Sequence, residues 1–152
     1  MDYILGNDPR PGGCVFCLPE GHRGPLPGRL VLFSDEEVLL IMNRYPYNNG
    51  HLMVAPRRHV ATLAQASGAE RLAMANLAAR ATEVLDRAQG PDGYNMGINQ
   101  GRVAGAGIAD HLHLHVTPRY AGDTNYMTVL AETRVVPEHL QATFRKLLGY
   151  FS

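Results

Sequence analysis

The sequence predicts an α+β domain, a five-stranded antiparallel sheet with one long helix and a C-terminal helix on one side. Three observations predict it. Short apolar runs are punctuated by turn residues, and connections this brief favour antiparallel pairing. One long stretch, 67–88, repeats its apolar residues at helical spacing. The chain has 152 residues and is 45% hydrophobic, enough for one domain with a sizeable core.

The elements follow in order. Residues 1–28 are rich in glycine and proline and read as irregular, apart from a knuckle at Cys14 and Cys17. Residues 29–33 and 38–42 read as two strands joined by the turn Ser34-Asp35-Glu36-Glu37. Residues 43–50 are a turn-rich loop, and 51–55 are a third strand ended by Pro56. Ser67 can cap the long helix, whose stripe is Ala73, Leu77, Ala81, Val84 and Ala88, with Met74, Ala78 and Leu85 alongside. Gly90-Pro91-Asp92-Gly93 ends it, and 94–99 are a fourth strand. A glycine-rich loop from Gly101 to Gly107 feeds the fifth strand, which carries a cluster of histidines. A short apolar piece at 127–131 reads as a further strand, and Pro137 opens a terminal helix carrying Leu140, Phe144, Leu147 and Leu148. There is no repeat or low-complexity tract, so residues 1–152 read as a single domain.

Formal net charge is zero, which gives no sign of a nucleic-acid partner. No signal-peptide pattern opens the chain, and no run approaches the roughly 18 apolar residues a membrane span needs. A cytoplasmic protein with no membrane partner is expected.

His111-Leu112-His113-Leu114-His115 alternates at period two, which on a strand puts all three imidazoles on one face. Imidazoles are costly to bury without partners, so the cluster points to chemistry. On a flat strand such neighbours lie ~7 Å apart, too far for one ion at ~2 Å from each nitrogen, so separate roles are expected. The only cysteines, Cys14 and Cys17, sit among glycines and prolines, which suits a zinc knuckle better than a helix-opening redox pair. Two further ligands are needed, and the histidines can supply them. A redox protein acting through the thiols remains an alternative. The loop 99–107 is small and flexible, so backbone N–H groups of Gly105, Ala106 and Gly107 can cradle a phosphate beside the histidines. A neutral imidazole next to a phosphate suggests nucleophilic phosphoryl chemistry.

With these residues in place, the sequence resembles the histidine-triad (HIT) family of nucleotide hydrolases and transferases. The triad at 111–115, Asn99-x-Gly101, Asn49-Gly50-His51-Leu52-Met53-Val54, Pro56, His59 and Cys14-x-x-Cys17 carry the resemblance. Asn43-x-Tyr45-Pro46-Tyr47-Asn48-x-Gly50-His51 and Gly122-Asp123-x-Asn125-Tyr126 make it most similar to bacterial diadenosine tetraphosphate phosphorylases. The resemblance implies a HIT-like fold that dimerises through its sheet edge and helix, as a homodimer or a dimer-based tetramer. It implies that His113 attacks the α-phosphate and becomes nucleotidylated. His115 and His51 would lie by the phosphates, Asn99 would orient substrate and nucleophile, and Asn43 would bond the ribose. It also implies a structural zinc on Cys14, Cys17, His59 and His111, with no catalytic metal required. Arg119 reads either as a phosphate contact or as an exposed salt bridge, and Tyr45 and Tyr47 either line a base pocket or pack the loop. His22 and His139 are assigned to the surface. Gly107 departs from the Gln, Ser or Thr that many members carry, leaving only backbone donors there. The expected function is phosphorolysis or hydrolysis of diadenosine polyphosphates through a nucleotidyl-histidine. The alternatives are a nucleoside phosphoramidate or monophosphate hydrolase, and an adenine-nucleotide-binding protein of vestigial activity.

Overall fold

A computed structural model describes residues 13–123 and 137–151. Its sheet has the order β1-β2-β3-β5-β4, every neighbouring pair antiparallel. The strands are β1 (Val31–Ser34), β2 (Val38–Met42), β3 (Leu52–Pro56), β4 (Gly93–Gly97) and β5 (Leu114–Arg119). The helices are α1 (Gly68–Ala88) and α2 (Pro137–Leu148). This is the α+β architecture expected from the chain's punctuation. The apolar piece at 127–131 and residues 1–12 lie outside the described residues.

α1 starts where Ser67 accepts the Glu70 N–H at 3.0 Å while Glu70 accepts the Ser67 N–H at 2.8 Å. This reciprocal capping box satisfies two donors the first turn would leave orphaned. Met74, Leu77, Ala81, Val84, Leu85 and Ala88 are buried, so the stripe packs α1 onto β2, β3 and β5. Leu140, Phe144 and Leu147 bury α2 against α1 and β1. Arg80 on α1 lies between the rings of Phe33 and Phe151, 4.9 and 4.7 Å from their centroids. No described helix is long and apolar enough to cross a membrane.

β2 and β3 are buried along their whole length, which requires cover on both faces. α1 covers one of them. Leu114 lines a groove with Met74 and Ala78 of α1, so its neighbour His115 projects to the opposite face. The fully buried ring of Phe16 packs against His111 and His113.

Four strand boundaries differ from the sequence expectation: β1 covers 31–34 rather than 29–33, β4 covers 93–97 rather than 94–99, and β3 and β5 are also displaced. β3 begins at Leu52 and runs through Pro56, whose missing N–H does no harm because it pairs at the strand end with Val38. β5 begins only at Leu114, so His111 and His113 precede the ladder and only His115 of the three lies within it. The Leu112 N–H instead donates to the Val60 carbonyl at 2.7 Å. The rings of His113 and His115 meet edge-on with centroids 4.9 Å apart.

Candidate active site and metal cluster

The register places the histidines. Met53 pairs with His115, so His51, two residues earlier on the same face, is the diagonal neighbour of His115. His51 Nδ1 accepts the Tyr47 N–H at 3.2 Å and the Asn43 side-chain N–H at 3.3 Å. A neutral imidazole that accepts at Nδ1 carries its proton on Nε2. His51 Nε2–H therefore donates to His115 Nδ1 at 2.9 Å, and His115 keeps its own proton on Nε2. The Tyr47 ring stacks on His51 with centroids 5.1 Å apart.

His113 has the opposite tautomer. Its Nδ1–H donates to the His111 carbonyl at 2.8 Å, so the lone pair sits on Nε2. Burial lowers all four imidazoles. His51 falls to about 3, chiefly by desolvation and then by His115 and His113, and His115 falls to about 4 by desolvation and then by His113. His111 falls to about 4 for the same first reason, opposed by its bond to Pro56. His113 is lowered by burial and partly restored by the His111 carbonyl. At neutral pH all four rings are uncharged.

His111 Nε2–H donates to the Pro56 carbonyl at 2.9 Å, which frees Nδ1 to face Cys14, Cys17 and His59. His111 Nδ1 lies 3.4 Å from Cys14 Sγ, 3.7 Å from Cys17 Sγ and 3.0 Å from His59 Nδ1, and Cys17 Sγ lies 3.3 Å from His59 Nδ1. A tetrahedral ion with metal–sulfur bonds of ~2.3 Å and metal–nitrogen bonds of ~2.0 Å requires edges of about 3.8 Å between sulfurs, about 3.5 Å between sulfur and nitrogen and about 3.3 Å between nitrogens. These four edges are close to those lengths and all four donor atoms lie within 4.8 Å of one another, so the cluster could hold a metal ion. His59 Nε2 lies 3.5 Å from Asp110 Oδ2, an outer carboxylate of the kind that orients a ligating imidazole. No disulfide joins Cys14 to Cys17.

The glycine loop departs from expectation. Residues Arg102–Ala104 make a tight turn flanked by Gly101 and Gly105 at φ +89° and +91°, a conformation glycine adopts without strain. The Gly105 N–H bonds Arg102 at 3.0 Å and the Ala106 N–H bonds Gly101 at 3.3 Å. Of the expected trio, only the Gly107 N–H is not engaged by the loop itself. Asn99 is exposed, and its Nδ2 lies 4.0 Å from the point a Cβ on Gly105 would occupy. Gly97 pairs with His115 at the end of the β4–β5 ladder, and Asn99 lies two residues beyond it.

Arg119 lies at the end of β5, bonded to Asp123 at 3.2 Å and Asn95 at 2.6 Å, the ion-pair reading of that residue. Asn43 spends its side-chain oxygen on the Tyr45 N–H and its amide on His51. Tyr45 and Tyr47 are half-exposed. His139 is exposed, and His22 is half-buried with Nε2–H donating to the Gly24 carbonyl at 3.2 Å. Sequence reasoning missed Phe16, the Pro56 carbonyl, Asp110 and the bond from Asn48 to Asp123 that ties the loop before β3 to the end of β5. The position of Phe16 between the two cysteines was its one available signal.

Comparison with known proteins agrees with this geometry. A family model described as HIT domain matches residues 28–122. A protein named AP-4-A phosphorylase from Mycobacterium tuberculosis is 39% identical over 118 residues, 78% of this chain and 60% of that protein. The chain thus spans somewhat over half the length of that curated relative. An uncharacterized HIT-like protein from Methanocaldococcus jannaschii is 36% identical over 72% of this chain and 81% of its own. A crystal structure of a zinc-bound histidine triad family protein from Mycobacterium smegmatis superposes with TM-score 0.66 at 28% identity, covering 80% of this chain and 82% of that one. A histidine triad nucleotide-binding protein from Sulfolobus tokodaii shares the fold, with TM-score 0.68 at 23% identity over 80% of this chain and 82% of that one. On the family model and these identities, the chain belongs to the HIT domain family.

Proposed function

We propose that the chain cleaves diadenosine polyphosphates by nucleotidyl transfer through His113. The carrying observation is the bond from His113 Nδ1–H to the His111 carbonyl, which leaves the Nε2 lone pair available and the ring neutral. Nε2 attacks the α-phosphorus, the bond to the bridging oxygen breaks, and the nucleotide leaves with that oxygen. The cationic phosphoimidazole is stabilised by the same carbonyl. His115 Nε2–H donates a hydrogen bond to the departing oxygen, its tautomer held by His51 and the Tyr47 N–H. Phosphate then attacks adenylyl-His113 to give a nucleoside diphosphate, or water attacks to give the monophosphate. The identity to AP-4-A phosphorylase favours phosphate.

The metal we assign is zinc, as two cysteines and two histidines favour. Bound there, it would act as a structural crosslink, because four protein donors fill the tetrahedron. We also propose a homodimer, or a tetramer built from it, across the β4 edge. There Met96 is 54% exposed beside an apolar groove of about 530 Å³ lined by Met74, Ala78, Ile98 and Leu114.

The test is turnover of diadenosine tetraphosphate with and without phosphate. Adenosine diphosphate formed only with added phosphate, and lost in His113→Ala, is the expected result. Unchanged turnover in His113→Ala would sink the proposal. A binding module of vestigial activity is the second reading, favoured by the internal bonds of the Gly105 and Ala106 N–H groups, and it leaves the dinucleotide intact while binding it.

A further inference from the structure

We propose that Phe16 is a positioning residue that couples the Cys14–Cys17–His59–His111 cluster to His113. The inference rests on reading His113 as the attacking ring. Phe16 lies between the two cysteines in sequence, next to Cys17 and two residues after Cys14, so the chain on either side of it runs into a cluster residue. Its ring is fully buried. It stacks on His113 with centroids 4.8 Å apart and planes at 28°, and it tilts against His111 at 5.2 Å.

The hydrogen bond at His113 Nδ1 fixes the tautomer but by itself leaves the ring free to rock about that bond. Two rings limit the rocking. His115 meets His113 edge-on at 4.9 Å and 69°, and Phe16 is stacked on it. Phe16 is itself held by its backbone. Arg29 Nη2 donates to the Val15 carbonyl at 3.0 Å and to the Cys17 carbonyl at 2.9 Å, and the Cys17 N–H closes a turn onto Cys14 at 3.3 Å. With an ion joining both thiolates to His111, the segment 14–17 cannot shift relative to His111, and Phe16 cannot leave His113. With the ion gone, Arg29 and the turn remain, and the ring gains freedom. The cluster thus reaches the attacking nitrogen through packing, with no part in the reaction itself.

The test uses the full chain loaded with zinc and isotopically labelled at histidine. Ring signals of His113 are followed by NMR in the native protein, in the same protein after chelation, and in Phe16→Leu and Phe16→Met. Both substitutions keep an apolar side chain of similar size, so either suffices if the other fails to fold. The expected result is that chelation moves the His113 signals in the direction the substitutions do, while the substituted proteins still bind one zinc. Because a displacement of an ångström costs up to about a hundredfold, the smaller rocking allowed here lowers kcat about tenfold with KM changed less than about twofold. His113 signals that stay put on chelation while those of His111 move would overturn the coupling. So would native kcat in zinc-loaded Phe16→Leu or Phe16→Met. If His113→Ala retains full turnover, the functional reading fails by itself, and the NMR comparison still decides whether cluster and ring are coupled.

Discussion

Glu70 ties the start of α1 to the loop that follows β3. Its carboxylate accepts the Ser67 N–H at 2.8 Å and two bonds from Arg58, at 2.7 and 3.2 Å, and its side chain is only 7% exposed. The Arg58 bonds, then the Ser67 donors, hold the carboxyl at about 2 against the opposing effect of burial. Losing the Ser67 N–H bond to the Glu70 carboxylate, one half of the capping box, costs about 1 kcal/mol. The ion pair adds about 1 kcal/mol more, toward the low end for a charged hydrogen bond because Arg58 is 58% exposed and solvent screens it. Glu70→Ala should therefore lose about 2 kcal/mol at pH 7. Glu70→Gln, which keeps an acceptor for Ser67, should lose about half of that. The folded carboxyl lies below its ordinary value of 4.5, so its stabilising effect is complete above that value and is lost as pH falls from 4.5 through about 2. Urea denaturation of native and Gln proteins at a series of pH values reads both effects. The gap between them should shrink steadily below pH 4.5. A Gln variant as stable as the native protein at pH 7, or a gap that acid leaves untouched, would refute the account.

Other expectations are briefer. Gly50 sits at φ +91° with Gln89 Oε1 only 2.5 Å from where a Cβ would go, so Gly50→Ala should lower Tm by roughly 4 °C or more and disturb the neighbouring His51; an unchanged Tm in calorimetry would count against it. On the proposed zinc assignment, chelation or Cys17→Ser should lower both metal content and Tm, read by elemental analysis and thermal melts. With His51 at about 3, His115 at about 4 and the attacking His113 lowered by burial below its ordinary 6.5, kcat should fall only on the acid side of a free imidazole's titration, as His113 and then its neighbours charge; a fall centred at or above 6.5 in the pH profile would show that burial does not hold these rings neutral. Met96→Lys should turn the proposed dimer into monomer by light scattering.

Local rules wrote much of this protein into its sequence. Ser67 and Glu70 three residues apart announce the start of α1, the apolar stripe announces its buried face, and the spacing of Cys14 and Cys17 announces half a metal site. These signals act within a turn or two of chain, where spacing and geometry are nearly the same thing. The two proton assignments came only from tertiary structure. The Pro56 carbonyl orients His111 across 55 residues, and Tyr47 and His51 hold the His115 proton across the register of β3 and β5. The sequence likewise gave no sign that His111 and His113 would leave the ladder, or that the Gly105 and Ala106 N–H groups would be spent within their own loop. Periodicity specifies which face a side chain takes. Which nitrogen keeps its lone pair depends on the partner brought to the other nitrogen, and long-range packing chooses that partner.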